Sequence, residues 1–473
     1  MSNSKVVKAG IGYTIGNYFI KGLTFLTLPI FTRLMNPSDY GIYNIFIASE
    51  GFLYVLIGLA IHTTYKNAWY KYGDIRQNGI SYNSYVSSTM VLILISAFVW
   101  FLLFLIFAGY LSNLLLLDRI CLIILVAYSA SMAVMACFNV HIGIQYRFKT
   151  FVLVSGLNAI CNISVSILLM LTIFSDQRYL GRIIGTTLPT VIIGFFIIYS
   201  FIKKSKPSSD LSGIKWGLKY SLPIVPNGIG QVIIGQFDRM MINKMISSFS
   251  AGIYSFAYNI FGVVNVTYMS LDNVWSPWLY EKMNKKDYSL IRSKANVYVT
   301  LLFLFSSIII MISPELIHLM GTPDYYESSY SVIPIIAGGF FLFLSSLPIS
   351  IEYFYERTKM IATATLLAAI MKVLLNMYCL REYGYISAGY TTLVTYIFYF
   401  LFHYITARKI HGKDIFFTFG IIQYSIGILL ITAVAVSLIN SFPIRWIIAC
   451  GISCFFYFYE EHNFGLVKKL LNK

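Results

Sequence analysis

Residues 82–108 read YNSYVSSTMVLILISAFVWFLLFLIFA, with no Asp, Glu, Lys or Arg among them. A helix needs about 20 apolar residues to cross ~30 Å of hydrocarbon, and this run exceeds that length. Working outward, comparable runs recur near 11–33, 40–63, 114–139, 150–174, 181–202, 219–243, 250–273, 293–313, 329–351, 360–380, 385–407, 416–439 and 443–459. The composition agrees. The 473 residues are 58% hydrophobic and 11% charged, against roughly a quarter charged in soluble domains. Mean hydropathy is +0.73. The expected fold is an all-α polytopic membrane protein of about 14 transmembrane helices. The first run is too long for a signal-peptide core and no small-residue cleavage pattern follows it. No connection is long enough to hold a soluble catalytic domain.

The formal net charge of +16 follows from topology rather than from nucleic acid, since no polar domain presents a basic face. With the N-terminus placed inside, the inside segments hold 25 Lys and Arg and the outside segments 7. That asymmetry puts both termini in the cytoplasm, with the basic loops against an anionic leaflet. The longest inside connections are expected around 203–219 and 274–292, the longest outside one at 314–328. Cys121, Cys137, Cys161, Cys379, Cys450 and Cys454 all lie in apolar runs without metal-ligand spacing and read as small hydrophobes.

Two pairs of short matches share one offset. Gly41-Ile42-Tyr43 returns as Gly252-Ile253-Tyr254, 211 residues on, and Arg147 and Lys149 return as Arg357 and Lys359, 210 on. A six-helix offset preserves orientation, so the halves read as parallel repeats. The expected division is an N-terminal lobe at 1–205, a C-terminal lobe at 206–412, and helices 13 and 14 with a cytoplasmic tail at 413–473.

Charges at membrane depth cost ~3 kcal/mol or more and need a partner or a water-filled cavity. Lys21 and Glu50 both fall near the midplane, either as a mutual ion pair or as a cavity cation with a tuning carboxylate. Lys372 is the foremost candidate for a cation facing a cavity. Asp238 and Arg239 sit near the outer end of helix 7, interfacial or functional, and Asp272 near the inner end of helix 8. His62, His318 and His403 lie towards helix ends, where proton relay and a plain structural role are both open. Pro29, Pro189, Pro223, Pro226, Pro334 and Pro348 mark bends. Pro223 and Pro226, followed by Asn227, Gly228 and Gly230, make helix 7 the expected bent or moving element, and Pro29 a second hinge. The 37 Tyr residues exceed the needs of interfacial belts, so some line a polar cavity or simply pack densely. A Gly-rich phosphate loop, His-Glu-x-x-His and Gly-x-Ser-x-Gly are absent, which argues against ATP hydrolysis and soluble-style catalysis; no cofactor is expected.

The stretch Leu28-Pro29-Ile30-Phe31-Thr32-Arg33-Leu34-Met35-Asn36-Pro37-Ser38-Asp39-Tyr40-Gly41-Ile42-Tyr43 resembles the amino-terminal signature of polysaccharide and O-antigen flippases. These are the Wzx-like branch of the multidrug/oligosaccharidyl-lipid/polysaccharide exporter superfamily. Leu222-Pro223-Ile224-Val225-Pro226, Asp238-Arg239 and Gly252-Ile253-Tyr254 are similar to the start of that family's second lobe. The resemblance implies translocation of an undecaprenyl-diphosphate-linked oligosaccharide, typically an O-antigen repeat unit, across a bacterial inner membrane by alternating access. Lys21, Lys372 and Arg239 are then expected to attract the diphosphate. Coupling to H+ or Na+ would run through Glu50, Asp238 or Asp272. Other polysaccharide-assembly proteins are conceivable partners. A multidrug antiporter or lipid II flippase on the same fold, and a membrane-embedded polymerase or glycosyltransferase, stand as alternatives.

Overall fold

A computed structural model describes residues 3–73, 80–412, 415–416 and 418–463. Arg76, Lys413, Lys468, Lys469 and Lys473, five of the 25 basic residues assigned to inside segments, lie outside the described residues. Each of the fourteen expected positions holds a helix, and among the described residues ten helices are long and apolar enough to cross a membrane. The chain divides into two compact units, Met1–Ser255 and Phe256–Lys473. The division falls well past the expected lobe boundary at 205/206.

The first unit opens with α1 (Asn3–Leu26), α2 (Leu28–Leu34) and α3 (Pro37–Gly58). The α1/α2 break at Thr27 precedes Pro29, which occupies the first turn of α2 where its missing N–H costs nothing. Asn36 caps α3, its side chain accepting from the Asp39 backbone N–H at 2.8 Å, and Pro37 takes the first helical position. Then follow α4 (Tyr65–Lys71), α5 (Tyr82–Ile106), α6 (Ala108–Leu115), α7 (Arg119–Ile144), α8 (Phe148–Leu171) and α9 (Arg178–Lys204). Helix α10 (Ser212–Ser221), a 3-10 turn at Leu222–Ile224 and α11 (Val225–Met245) replace the single helix expected at 219–243. The main packing pairs α8 with α9, α7 with α3 and α9, and α3 with α11.

Helix α12 (Ser248–Asn284) crosses the division, and the second unit continues with α13 (Tyr288–Met320), α14 (Ser329–Leu344), α15 (Ser346–Phe354), α16 (Thr358–Tyr383), α17 (Ser387–His411), α18 (Thr418–Ser437) and α19 (Phe442–Asn463). The inside connection expected at 274–292 is therefore mostly helix. Glu281 and Lys282 belong to the last turn of α12, and Lys285, just past its end, pairs back to Glu281 at 2.7 Å, so only the short turn at 285–287 remains as a connection. The connection at 203–219 shortens in the same way, because α10 begins at Ser212.

Burial identifies which helices face lipid. The span Pro323–Phe354 is 83% buried, whereas Tyr82–Ile106 is 22% and Phe148–Leu171 11% buried. Helix α14 is apolar all round and enclosed, as the core of its unit must be. On α5, Leu94, Ile95, Phe98, Val99, Leu102 and Ile106 lie exposed in one apolar face. A patch of that size is at home in hydrocarbon and not in water. The chain is a multi-pass membrane protein.

The two Gly-Ile-Tyr matches meet in the first unit. A Cβ on Gly41 would run into the backbone carbonyl oxygen of Ser248, and one on Gly252 into that of Pro37. The starts of α3 and α12 thus touch backbone to backbone, which only glycine allows. Gly252→Ala is expected to lose about 1–3 kcal/mol through overpacking against atoms that cannot rotate away. A lower Tm of the purified protein checks this, with Gly143→Ala, where the added methyl meets nothing within 4 Å, unchanged.

Candidate functional site

Each unit carries its own set of buried polar side chains on apolar helices. In the first, α3 contributes Glu50, 9% exposed. Its neighbour Gly51 lies against Val232 and Gln236 of α11, and Tyr54 and Tyr128 are within electrostatic reach of the Glu50 carboxylate. Lys21 makes no ion pair with Glu50; it is exposed on α1. The mutual pair considered from the sequence is not formed. On α11, Asp238 is 1% and Arg239 6% exposed. Asp238 accepts a hydrogen bond from the Tyr254 hydroxyl at 2.7 Å. These two charges are enclosed, which excludes the interfacial, snorkelling reading.

Arg182 stands in the second turn of α9. Its guanidinium lies 3.5 Å over the Phe31 ring and 4.9 Å from that of Tyr43, and it donates to Ser166 Oγ at 3.0 Å. Cation–π contacts of this kind fix a cation while leaving guanidinium edges for hydrogen bonding. One to two turns further along α9, Thr186 faces the Tyr43 hydroxyl at 3.5 Å and Thr190 donates to Asn158 at 3.1 Å. The quoted Phe31 and Tyr43 of the resemblance motif thereby serve to hold an arginine that sequence reading passed over.

In the second unit Lys372 is 1% exposed, on α16, with its Nζ 5.8 Å from the centre of the Tyr396 ring of α17. It is enclosed here rather than open to a cavity. Tyr396 in turn faces the Tyr258 hydroxyl at 3.2 Å, and Thr391 donates to Asn376. Asp272 is half-buried in mid-α12 and accepts from Ser276 at 3.4 Å; it lies away from the helix end where it was expected. The sequence reading also missed Glu352. It sits in the last turn of α15 and meets His403 Nδ1 of α17 at 2.8 Å, both side chains 0% exposed. Tyr399 presents its ring edge-on to His403 at 4.4 Å. Glu352 lies one residue past the run expected at 329–351, where hydropathy alone places a loop.

The remaining histidines differ. His62 stacks on Tyr54 at 6.1 Å in the short turn Ile61–Thr64, where burial holds its imidazole below the usual range. His318 stacks on Tyr326 at 4.0 Å. Pro29 and Pro226 stand in the first turns of α2 and α11, and Pro223 inside the 3-10 turn between α10 and α11, so all three sit at breaks in the helical path. Pro189 and Pro334 lie inside unbroken helices. Cys121 and Cys137 are buried, while Cys450 and Cys454 are exposed on α19. Among the described residues, no group of three or more His, Cys, Asp or Glu side chains could hold a metal ion.

A protein of Haemophilus influenzae described as Lsg locus putative protein 1 is 22% identical over 396 residues, covering 78% of this chain and 90% of its own length. The inward closed conformation of the lipid II flippase MurJ superposes with a TM-score of 0.76 over 96% of this chain and 99% of that one, at 15% identity. An inward-facing multidrug resistance transporter of the MATE family gives a TM-score of 0.59 over 83% of this chain and 96% of that one, at 14% identity. Identities this low show a shared fold. The polysaccharide biosynthesis protein family matches residues 6–283, well over half the sequence. With that match resting on the helices that carry Arg182, Glu50 and the Asp238-Arg239 pair, the chain belongs to the polysaccharide biosynthesis protein family.

Proposed function

We propose that the protein flips an undecaprenyl-diphosphate-linked oligosaccharide, an O-antigen repeat unit or similar surface-polysaccharide precursor, from the cytoplasmic to the periplasmic leaflet of a bacterial inner membrane. The observation that carries the reading is the presence of enclosed cations, Arg239 and Lys372, on apolar membrane helices of a polysaccharide-biosynthesis chain. Cations kept at that depth are costly and commonly mark a substrate or ion pathway. The substrate's diphosphate is such an anion, and Arg182, with its ring platform, offers the geometry that bidentate phosphate recognition uses. The sugars need a polar, aromatic surround, and the lipid tail can remain in hydrocarbon.

Alternating access by two parallel-repeat lobes is the proposed mechanism, with the breaks at Pro29, Pro223 and Pro226 as the places where helices re-angle. Lys21, exposed on α1, is assigned to attracting the diphosphate rather than holding it. Glu50, Asp238 and Asp272 are the carboxylates proposed to carry a coupling H+ or Na+. Both termini are assigned to the cytoplasm from the 25 to 7 distribution of basic residues. The protein acts as a transporter and not as an enzyme. A lipid II flippase shares the fold, and the substrate assay separates the two. Deletion should cause undecaprenyl-linked oligosaccharide to accumulate on the inner leaflet, as read by mass analysis of extracted lipids. A deletion strain without accumulation overturns the reading, and accumulation of lipid II instead reassigns the substrate.

A further inference from the structure

At one end of the second unit, α13, α14 and α19 enclose a cavity of about 630 Å³. That volume falls within the roughly 300–1,000 Å³ of small-molecule sites. Glu315 and His318 come from the last turns of α13, Tyr326 and Glu327 from the 3-10 turn Pro323–Ser328, Asn440 from the turn before α19, and Arg445 from its first turn. Arg445 is 3% exposed. It donates to the carbonyls of Leu438, at 3.2 Å, and Ile439, and ion-pairs with Glu315. Its Nε and the second carboxylate oxygen of Glu315, Oε2, have no hydrogen-bond partner in the protein. A buried charged pair is held rigidly here with one donor and one acceptor left to spare.

We propose that this cavity binds a pyranoside ring of the transported saccharide, as a holding site at the exit face; the proposal rests on the flippase reading. The chemistry of the walls selects the ligand. Two carboxylates against one guanidinium leave the lining net negative, which repels a diphosphate and distinguishes this site from the buried cations described above. Vicinal sugar hydroxyls both donate and accept, and the Asn440 amide offers a donor and an acceptor together, beside the spare Arg445 Nε donor and the Glu315 and Glu327 carboxylate acceptors. The stacked His318 and Tyr326 rings, 10° from parallel, give a plane for the apolar face of a sugar. The cavity opens at the helix ends beside 314–328, the connection without a Lys or Arg. On the proposed topology this is the periplasmic side, where a headgroup arrives after crossing. A phospholipid ammonium would suit the carboxylates but leaves Asn440 and Arg445 without a use.

The test is saturation-transfer NMR on the purified full chain in detergent, with the methyl β-glycosides of glucose, galactose and N-acetylglucosamine as probes. At least one glycoside should receive saturation. The affinity should fall about tenfold in Asn440→Ala with Tyr326→Ala, the order expected when paired groups are stranded. Pyrophosphate and phosphoethanolamine should not displace it. If that double variant has a lowered Tm, Glu327→Gln, at an exposed position, should still weaken binding several-fold. No transfer to any glycoside, undiminished binding in the variants, or displacement by phosphoethanolamine each overturns the site. The flippase reading fails separately: glycoside binding in a protein whose deletion accumulates no lipid-linked oligosaccharide would leave a saccharide site and remove the flippase.

Discussion

Replacing Glu352 by Ala is expected to lower the amount of protein in the membrane several-fold and to reduce its Tm in detergent by many degrees. Glu352 and His403 are each 0% exposed and 2.8 Å apart, so each supplies the other's polar partner in a surround that offers no water. Removing one member of such a pair costs about 3–5 kcal/mol, because the survivor stays buried without compensation. Set against a typical 5–15 kcal/mol of total stability, that is a large fraction. His403→Ala should act alike. The revealing variant is Glu352→Leu with His403→Leu, which removes both polar groups and should recover most of the lost abundance, since apolar replacement of a whole pair is often neutral or better. Wild-type abundance and Tm in Glu352→Ala would show that the contact contributes nothing.

The membrane fold was legible from run length alone, because a segment like 82–108 has few other places to go. Its helix positions were read to within a few residues at most ends. What misled was polarity near the ends of runs. Residues 274–292 look like a loop by composition, yet α12 continues to Asn284 and α13 begins at Tyr288. An amphipathic extension and a polar loop differ only in periodicity, and a hydropathy reading discards periodicity. The same habit hid Glu352, one residue past the run expected at 329–351, which the structure encloses, while Arg182, at the very start of the run expected at 181–202, is held on Phe31 and Tyr43. Charges judged by depth fared unevenly. Asp238 and Arg239, expected near a helix end, are buried, while Lys21, expected near the midplane, is exposed, because depth along a helix says nothing about which side a residue faces. A usable signal existed for Gly41 and Gly252, whose offset of 211 flagged two positions that turn out to touch each other's helices.

Replacing Lys372 by Met should reduce surface polysaccharide to the level of a deletion strain, measured per molecule of flippase in the membrane. Met keeps the length and most of the volume of Lys and deletes only the charge. Lys372 lies 1% exposed against Tyr396, in a place where an apolar side chain would insert more cheaply by ~3 kcal/mol on translocon scales. If the ammonium were merely structural, the Met variant would keep its display for every molecule that folds, and normalising to abundance would return the wild-type value. If the ammonium serves the diphosphate, normalisation changes nothing and the transport loss stands. Lys372→Arg separates the two further. It retains the charge on a larger group, so it should display more per molecule than Lys372→Met despite packing less well. Full display per molecule in Lys372→Met removes Lys372 from the mechanism and leaves Arg182 and Arg239 as the cations to examine for the phosphate.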